Sequence, residues 1–322
     1  MNEINKAGSL RKVVVVGAGS VGATYCYSLA QSGLADEIII IDRNEDLVRG
    51  QVLDLVHGQP FFPPVNIRAG LKEDYADAKL IVITAGLAQK PGETRLQLLK
   101  KNADIVGGIA EEVAASNSNG IMLIVSNPVD VLTYVALKRS GWDRRRVIGS
   151  GTVLDSARFR HLLGDHCGVD VHNVHAYILG EHGDSEFAAW SMTHIGGSVI
   201  DDFCPICGKC DNWKSVRESI EKQVRESAYH IINAKGYTQF AVGLALVRIS
   251  AAILRTQNSL LTVSVLTDGE YGLSDVCLSV PCIVSGGGVE RIIDSPLSSD
   301  ETEALKRSAG ILRQAIDSLY AE

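Results

Sequence analysis

The chain has 322 residues, which suggests one large domain or two domains of ordinary size. Hydrophobic residues make up 46% and charged residues 21%, so a sizeable core can form without cross-links. The formal net charge of −7 argues against nucleic acid as a partner, because nucleic-acid-binding proteins usually carry a basic surface. No apolar run reaches the ~18 residues of a membrane span, so no membrane partner is expected.

Cysteine usage favours a reducing compartment. The seven Cys are odd in number and widely scattered, and Met1–Arg11 is polar, without the apolar centre of a secretory leader. We therefore expect a cytoplasmic protein. Cys204, Cys207 and Cys210 form C-x-x-C-x-x-C, a pattern that can hold a metal or a redox pair. No fourth Cys or His follows closely, so we expect reduced thiols on a surface loop and no metal site.

The first half of the chain alternates strand-like and helix-like stretches. Apolar runs typical of parallel strands buried on both faces are Val13–Val16, Glu37–Asp42, Leu80–Gly86 and Ile121–Ser126. The stretches between them are long enough for helices, as at Ser20–Ser32 and Thr94–Ala115. This alternation predicts an α/β fold with a doubly wound parallel sheet and right-handed crossovers.

The second half mixes strands and long amphipathic helices. Val174–Gly180 and Leu261–Leu266 are strand-like, whereas apolar residues recur every three or four positions in 213–231 and 305–319. This mixture predicts an α+β domain. We place the domain boundary near the turn at residue 150, giving domains of residues 1–150 and 151–322.

A glycine-rich loop follows the first strand directly and opens a helix. The segment 17–22 fits G-x-G-x-x-G, and its cofactor-binding candidates are Gly17, Gly19, Ser20, Val21 and Gly22. In this context the glycines permit a tight turn, close approach of a pyrophosphate and close helix–strand packing, while the helix N-terminus attracts the phosphates.

An acidic residue at the end of the second strand refines the cofactor. Asp42 lies 20 residues after Gly22, where a carboxylate accepts hydrogen bonds from a ribose and repels a 2′-phosphate. The pattern therefore predicts NAD rather than NADP. A flavin enzyme, an S-adenosylmethionine enzyme or a turn that binds nothing are the alternatives.

One histidine and a charged pair are candidates for catalysis. His182 lies between two glycines just after a strand-like stretch, whereas Asp155 and Arg158 are three apart and share one face of a predicted helix. A carboxylate beside a histidine orients it and stabilises imidazolium. A guanidinium can bind a substrate carboxylate through two parallel hydrogen bonds. The alternatives are a structural histidine and a surface ion pair.

Five motifs together identify a family. GAGSVG, PGETR, SNPVDV, LDSARFR and GEHGDSE, in this order and spacing, resemble the L-lactate/malate dehydrogenase family over nearly the whole chain. The resemblance implies an N-terminal NAD-binding Rossmann domain, a C-terminal catalytic and substrate domain, and reversible hydride transfer between NADH and a 2-keto acid. It also implies a cytoplasmic homotetramer that acts in glycolysis and fermentation.

The resemblance assigns roles to residues at matching positions. It implies that His182 is the acid/base group, that Asp155 is its partner, and that Arg95 polarises the substrate carbonyl from a mobile loop. Arg158 would bind the substrate carboxylate and Asn127 the substrate oxygen. The other positions near substrate or nicotinamide are Thr238, Val242, Thr84, Ala85, Gly86 and Ser126.

The loop residue Gln89 bears on substrate choice. In the family, Arg at this position marks malate dehydrogenases, where it pairs with the second carboxylate of oxaloacetate. A neutral amide cannot neutralise that charge, and burying an uncompensated carboxylate costs several kcal/mol. Glu93 also matches the lactate type, so pyruvate and L-lactate are the expected substrates. Malate or a larger 2-hydroxy acid is the alternative, and a catalytically inert NAD-binding protein is a third.

A regulatory site is a further implication of the resemblance. Arg160 and His175 match the family's Arg and His for fructose 1,6-bisphosphate at a subunit interface. A bisphosphate between cationic groups could bias the active assembly. A structural ion pair at Arg160 is the alternative.

Overall fold

The computed structural model describes residues 10–88, 92, 94–208 and 212–321, without the side chains of 205–207. In this part of the chain one nine-stranded sheet forms the centre of the molecule, and two small antiparallel sheets of three and two strands lie in the second half. No helix in the described ranges is long and apolar enough to cross a membrane.

In the described part of its first half, the chain forms six parallel strands. They are β1 (Lys12–Val16), β2 (Glu37–Ile41), β3 (Asn66–Ala69), β4 (Leu80–Ile83), β5 (Ile121–Ile124) and β6 (Val147–Gly149). Their order is β3-β2-β1-β4-β5-β6, a doubly wound order with a switch point between β1 and β4. Because ligands bind such sheets beyond the carboxyl ends of the strands at the switch point, this topology directs attention to the loops after β1 and β4.

Four helices connect these strands. They are α1 (Ser20–Ser32), α2 (Glu45–His57), α3 (Arg95–Ala115) and α4 (Val129–Ser140). The predicted bounds of α1 are those observed, and α3 begins one residue later than predicted because Thr94 caps it, its Oγ1 accepting from the N–H of Gln97 at 3.2 Å. The strands β1, β4 and β5 are buried throughout, as their unbroken apolar runs predict.

Among its described residues, the second half of the chain forms five helices and eight strands. The helices are α5 (Val153–Cys167), α6 (Ile200–Cys207), α7 (Trp213–Lys235), α8 (Phe240–Leu254) and α9 (Ser299–Tyr320). The short strands are β7 (Val174–His175), β8 (Ile178–Leu179), β9 (Phe187–Ala188), β10 (His194–Ile195) and β11 (Ser198–Val199). The long strands are β12 (Ser259–Asp268), β13 (Ser274–Ser285) and β14 (Gly288–Ile292). The predicted fold class, a Rossmann sheet with a second domain of strands and helices, is confirmed.

The central sheet continues across residue 150. The antiparallel strands β12, β13 and β14 extend it beyond β6, and β12 pairs with β6 at Ser264 and Gly149. Helix α8 packs on α1, where the hydroxyls of Tyr25 and Ser250 lie 2.7 Å apart in a buried hydrogen bond. The domain boundary at residue 150 stays a prediction.

Three sequence-based expectations need correction. The strand expected at Leu80–Gly86 ends at Ile83, because the chain turns there towards the glycine loop. The strand expected at Val174–Gly180 is two short strands that pair with different partners. Cys204, expected on a surface loop, lies in α6 and is buried. Cys210 and the side chain of Cys207 lie outside the described residues.

Candidate active site

The glycine loop between β1 and α1 has the geometry that its sequence predicts. Gly17 has a φ of +114°, in the region that favours glycine. A Cβ at Gly22 would collide with the carbonyl of Gly17, and a Cβ at Gly17 would come within 2.7 Å of the N of Ala85. The loop can therefore close tightly against the start of α1 only with glycine at both positions.

The same loop fits a dinucleotide phosphate. Gly19 caps α1 without a side-chain hydrogen bond, so the first N–H groups of the helix are available to an anion. A Cβ at Gly19 would meet no atom within 4 Å, which leaves open space above the loop. Ser20 and Val21 are the first two residues of this helix.

Asp42 stands beside the loop, directly after β2. Its Oδ2 accepts the N–H of Ala18 at 2.8 Å and its Oδ1 accepts the N–H of Asn44 at 2.9 Å. Each carboxylate oxygen can accept a second hydrogen bond, and the side chain is half-buried. The residues present therefore suit an adenosine ribose.

The segments after β4 and β5 meet the glycine loop. Thr84 donates from Oγ1 to the carbonyl of Gly17 at 3.1 Å, and Ser126 donates from Oγ to the carbonyl of Ala85 at 2.6 Å. Gly86 lies close to Ser126, where a Cβ would have ordinary contacts at 3.5 Å. Asn127 is exposed directly after Ser126. The predicted cofactor residues of three neighbouring strands thus share one edge of the sheet.

The acid/base candidates form a compact chain of contacts. Nδ1 of His182 lies 2.6 Å from Oδ2 of Asp155, and Nη1 of Arg158 donates to Oδ1 of the same carboxylate at 2.7 Å. Helix α5 supplies both charged residues from one face, as their spacing predicts. Asp155 is buried, whereas the His182 side chain keeps 24% of its surface exposed. The histidine can therefore meet a substrate while its partner stays dry.

The charges of His182, Asp155 and their neighbours shift the pKa values of His182 and Asp155 in opposite directions. Burial opposes protonation of His182, but the charge and hydrogen bond of Asp155, followed by the charges of Glu186 and Asp130, raise its pKa to about 9. Burial opposes ionisation of Asp155, yet the charges and hydrogen bonds of His182 and Arg158 hold its pKa below the ordinary value. The pair is therefore an imidazolium–carboxylate pair at neutral pH, a form that can donate a proton.

Two buried residues escaped the sequence analysis. Asp130, in the first turn of α4, accepts the backbone N–H of His182 at Oδ2 over 2.7 Å, and burial raises its pKa to about 6. Asn102, in α3, binds Leu87 through both main-chain groups and donates to the carbonyl of Asn127 at 3.2 Å. The only available signal was a polar residue at a position where the helix period predicts burial.

A third residue missed by the sequence analysis is Glu186, four residues after His182. Its carboxyl lies in one cluster with the side chains of Asp155 and His182. Nothing in its local sequence distinguishes it from a surface glutamate.

The remaining substrate candidates that the structure describes lie in the first turn of α3 and near the start of α8. Arg95 is exposed in the first turn of α3, and its charge reaches Tyr229. The hydroxyl of Tyr229 donates to Asp184 at 2.7 Å. Thr238 and Val242 are half-buried at the start of α8. Among the described residues no hydrogen bond joins Arg95 or Thr238 to His182. Gln89 and Glu93 lie outside the described residues.

The two predicted regulatory residues are connected through Ala176, the residue that follows His175. Nε of Arg160 donates to the carbonyl of Ala176, next to the exposed His175, at 3.0 Å. The Arg160 guanidinium also stacks over Tyr177 at 5.3 Å. Burial, and then the nearby Arg248, lowers the pKa of Arg160. In the described ranges no carboxylate pairs with Arg160, so the ion-pair alternative finds no support.

Comparisons with known proteins agree with this geometry. Residues 11–149 match the model of the lactate/malate dehydrogenase NAD-binding domain, and residues 152–322 match that of the lactate/malate dehydrogenase alpha/beta C-terminal domain. An L-lactate dehydrogenase of Treponema denticola is 60% identical over 95% of this chain and 97% of its own length.

Solved structures of similar proteins cover almost the whole chain. A lactate dehydrogenase from a Medee basin deep-sea metagenome library superposes with a TM-score of 0.95 at 43% identity, covering 98% of this chain and all of the other. The minor L-lactate dehydrogenase of Enterococcus mundtii in its ligand-bound form gives 0.94 at 40% identity, over 98% and 100% of the two chains. The chain belongs to the lactate/malate dehydrogenase family. It is an NAD-dependent oxidoreductase.

Proposed function

We propose that the protein is an L-lactate dehydrogenase, which transfers hydride reversibly between NADH and pyruvate to give L-lactate and NAD+. The observation that carries the proposal is the 2.6 Å contact between Nδ1 of His182 and Oδ2 of Asp155, with Arg158 on the other oxygen. The names of the similar proteins support the choice of reaction.

His182 would act as the acid and base of the reaction. Bound NADH supplies the hydride, and hydride addition to a ketone creates alkoxide character on the carbonyl oxygen. With Asp155 holding Nδ1, the Nε2–H of the imidazolium points away from the pair and is the proton that the oxygen would receive. In the reverse direction the neutral imidazole removes the hydroxyl proton of lactate.

Arg158 and Arg95 would stabilise the two other negative charges of the reaction, on the substrate carboxylate and on the carbonyl oxygen. Arg158 uses Nη1 on Asp155, which leaves further N–H donors for a substrate carboxylate. Arg95 begins α3, shortly after Pro91 and Gly92 in the sequence, and would reach the carbonyl when this part of the chain closes over the substrate. Closure would also exclude water, which strengthens both interactions. Asn127 and Thr238 would line the substrate space.

Pyruvate is the proposed substrate because Gln89 cannot neutralise a second carboxylate. Oxaloacetate would bring such a group to the loop and leave it without a countercharge. A methyl group fits beside a neutral amide. The sequence of the loop carries this part of the proposal.

Fructose 1,6-bisphosphate is the proposed effector of a cytoplasmic homotetramer. Arg160 and Arg248 line one cleft of about 340 Å³ with Tyr177, and among the described residues neither guanidinium pairs with a carboxylate. Two unneutralised cations beside the exposed His175 favour a polyanion. Binding would relieve their mutual repulsion and could stabilise one subunit arrangement.

The test is kcat/KM for pyruvate and for oxaloacetate with NADH, each with and without fructose 1,6-bisphosphate. A preference for pyruvate is expected, together with a lower KM when the bisphosphate is added. A preference for oxaloacetate would make the protein a malate dehydrogenase. No NADH oxidation with any 2-keto acid would identify an inert NAD-binding protein. Light scattering at the same protein concentrations would report whether a tetramer forms.

A further inference from the structure

A third acidic side chain accompanies the His182–Asp155 pair. Ligating atoms of Asp155, His182 and Glu186 all lie within 4.8 Å of one another, and only 5% of the surface of Glu186 is exposed. Neither the dinucleotide nor the substrate arrangement proposed above uses this glutamate. A buried carboxyl group so close to an acid/base pair requires an account of its own.

A metal ion is a poor account of this cluster. Both oxygens of Asp155 already accept hydrogen bonds, at 2.6 Å from His182 and 2.7 Å from Arg158, and Nδ1 of His182 is engaged in the first. A cation would have to displace these contacts, and Glu186 alone would offer an uncommitted oxygen pair. The three groups are therefore better explained as interacting charged side chains than as ligands of a metal ion.

Glu186 also borders a cleft on the side of α7 and α9. The cleft has a volume of about 610 Å³. The charged residues that line it from α7 are Lys214, Arg217, Glu218, Glu221 and Arg225. Those that line it from α9 are Asp300, Glu301 and Arg307, and Asp184 faces it from the loop of Glu186 itself. Glu186 therefore lies near the acid/base pair and also borders a polar cleft, through which it can exchange protons.

The charge state of Glu186 is coupled to that of its neighbours. Burial, followed by the charge of Asp155, raises its pKa well above the ordinary value, although His182, Arg158 and Arg225 oppose this effect. In turn, an ionised Glu186 raises the pKa of His182, as do Asp155 and Asp130. Two such groups lose their protons in two shared steps rather than independently.

We propose that Glu186 is a positioning residue of the acid/base centre, which sets the protonation of His182 through its own charge and exchanges its proton through the cleft between α7 and α9. This inference rests on the proposed acid/base role of His182. Ionised Glu186 favours the imidazolium that reduces a keto acid, whereas neutral Glu186 makes that imidazolium easier to deprotonate. The pH range of turnover thus depends on a residue that never contacts the substrate.

The experiment compares wild type with Glu186→Gln and a control, Glu218→Gln, which removes an exposed glutamate from the same cleft. Protein labelled with ¹⁵N-histidine is titrated by NMR, with the His182 signal assigned from His182→Ala. Wild type is expected to titrate in two steps. Glu186→Gln should give one step, with the midpoint lowered by about 1–2 pH units, the scale of one charge roughly 5 Å away at an effective dielectric constant of about 25–50.

Kinetics supply the second readout. The alkaline limb of kcat/KM for pyruvate should move to lower pH by the same amount in Glu186→Gln and stay in place in Glu218→Gln. An unchanged His182 midpoint in Glu186→Gln, or an equal change in Glu218→Gln, would overturn the proposal. If Glu186→Gln does not fold, the wild-type titration alone decides, and a single titration step of His182 would overturn the proposal. The NMR titration does not need turnover. If the protein reduced no keto acid, the proposed function would be refuted, and the titration would still test the coupling of Glu186 with His182.

Discussion

The backbone N–H of His182 donates to Oδ2 of Asp130 over 2.7 Å, across 52 positions of the chain. This bond attaches the loop of the acid/base candidate to the first turn of α4, which begins two residues after Asn127. Asp130 is fully buried, so its carboxylate accepts the His182 N–H away from bulk water. The position of the His182 ring therefore depends on two aspartates, one holding its backbone and one its Nδ1.

Asp130→Ala should lower both stability and turnover. The unpaired buried N–H is expected to reduce the free energy of unfolding by about 1–3 kcal/mol. A displaced imidazole should reduce kcat by roughly 10- to 10²-fold. Urea denaturation and steady-state kinetics measure the two effects. Unchanged kcat in a folded variant would show that the Asp130 contact does not position the ring.

Asp130→Asn is the matched control, because its amide oxygen can still accept the N–H. It also removes a buried charge. The raised pKa of Asp130, about 6, means that the folded state loses stability as pH rises from the ordinary carboxyl value through 6. The stability of Asp130→Asn relative to wild type should therefore increase over this interval. A pH-independent difference would contradict the assignment.

His182→Ala should reduce kcat by ~10²-fold or more, the scale expected when a general acid is lost. Binding of NADH should change little, because the glycine loop and Asp42 lie in the other half of the chain. Stopped-flow turnover and NADH fluorescence titration separate the two quantities. Turnover close to that of wild type would refute the acid/base role.

The pH dependence should have opposite signs in the two directions of reaction. In the proposed mechanism the reduction of pyruvate uses protonated His182, so kcat/KM should be high below about pH 9, the pKa of His182, and fall above it. Oxidation of lactate needs the neutral ring and should rise through the same pH. The stability that His182 gains from Asp155 is fully present below its ordinary pKa and is lost as pH rises through about 9. Equal pH profiles for the two directions would contradict this account.

Gln89→Arg should move substrate preference from pyruvate towards oxaloacetate. The new guanidinium supplies the countercharge for the second carboxylate, and a charged hydrogen bond of this kind changes the ratio of kcat/KM values by roughly 10- to 10²-fold. Gln89→Met, of similar length and neutral, should leave oxaloacetate disfavoured. An unchanged ratio in Gln89→Arg would place substrate choice elsewhere.

Arg160→Gln should abolish activation by fructose 1,6-bisphosphate while preserving turnover at saturating pyruvate. The amide can still donate to the carbonyl of Ala176, as Arg160 does at 3.0 Å, but it carries no charge for a phosphate. His172→Gln is a suitable control, because His172 is exposed and contacts Asp170 instead. Activation that survives in Arg160→Gln would exclude this residue from the effector site.

The parts of the fold that depend on local pattern could be predicted from the sequence. The glycine loop, the bounds of α1 and the shared face of Asp155 and Arg158 follow from spacing within a few residues. The break at Ala176 and Tyr177 could not be predicted, because tertiary pairing divides one strand-like stretch into two strands there.

Residues of the candidate site that act across long separations in sequence were beyond prediction. Asp130 and Glu186 stand in stretches that also suit ordinary helix and loop positions, and their importance depends on which distant groups they meet. Asn102 connects Leu87 with Asn127, three segments whose proximity only the folded chain determines. A single sequence contains no pairwise information of this kind.

The pairing of Ser264 with Gly149 makes the two halves of the chain parts of one sheet. A fragment ending after β6 would expose an unpaired strand edge. It would also expose the apolar surface of α1 that α8 covers in the intact chain. Such a fragment is a template for aggregation rather than a separable cofactor-binding module. The intact chain should therefore lose its structure in one cooperative transition, and a destabilising substitution in either half would lower the midpoint for both.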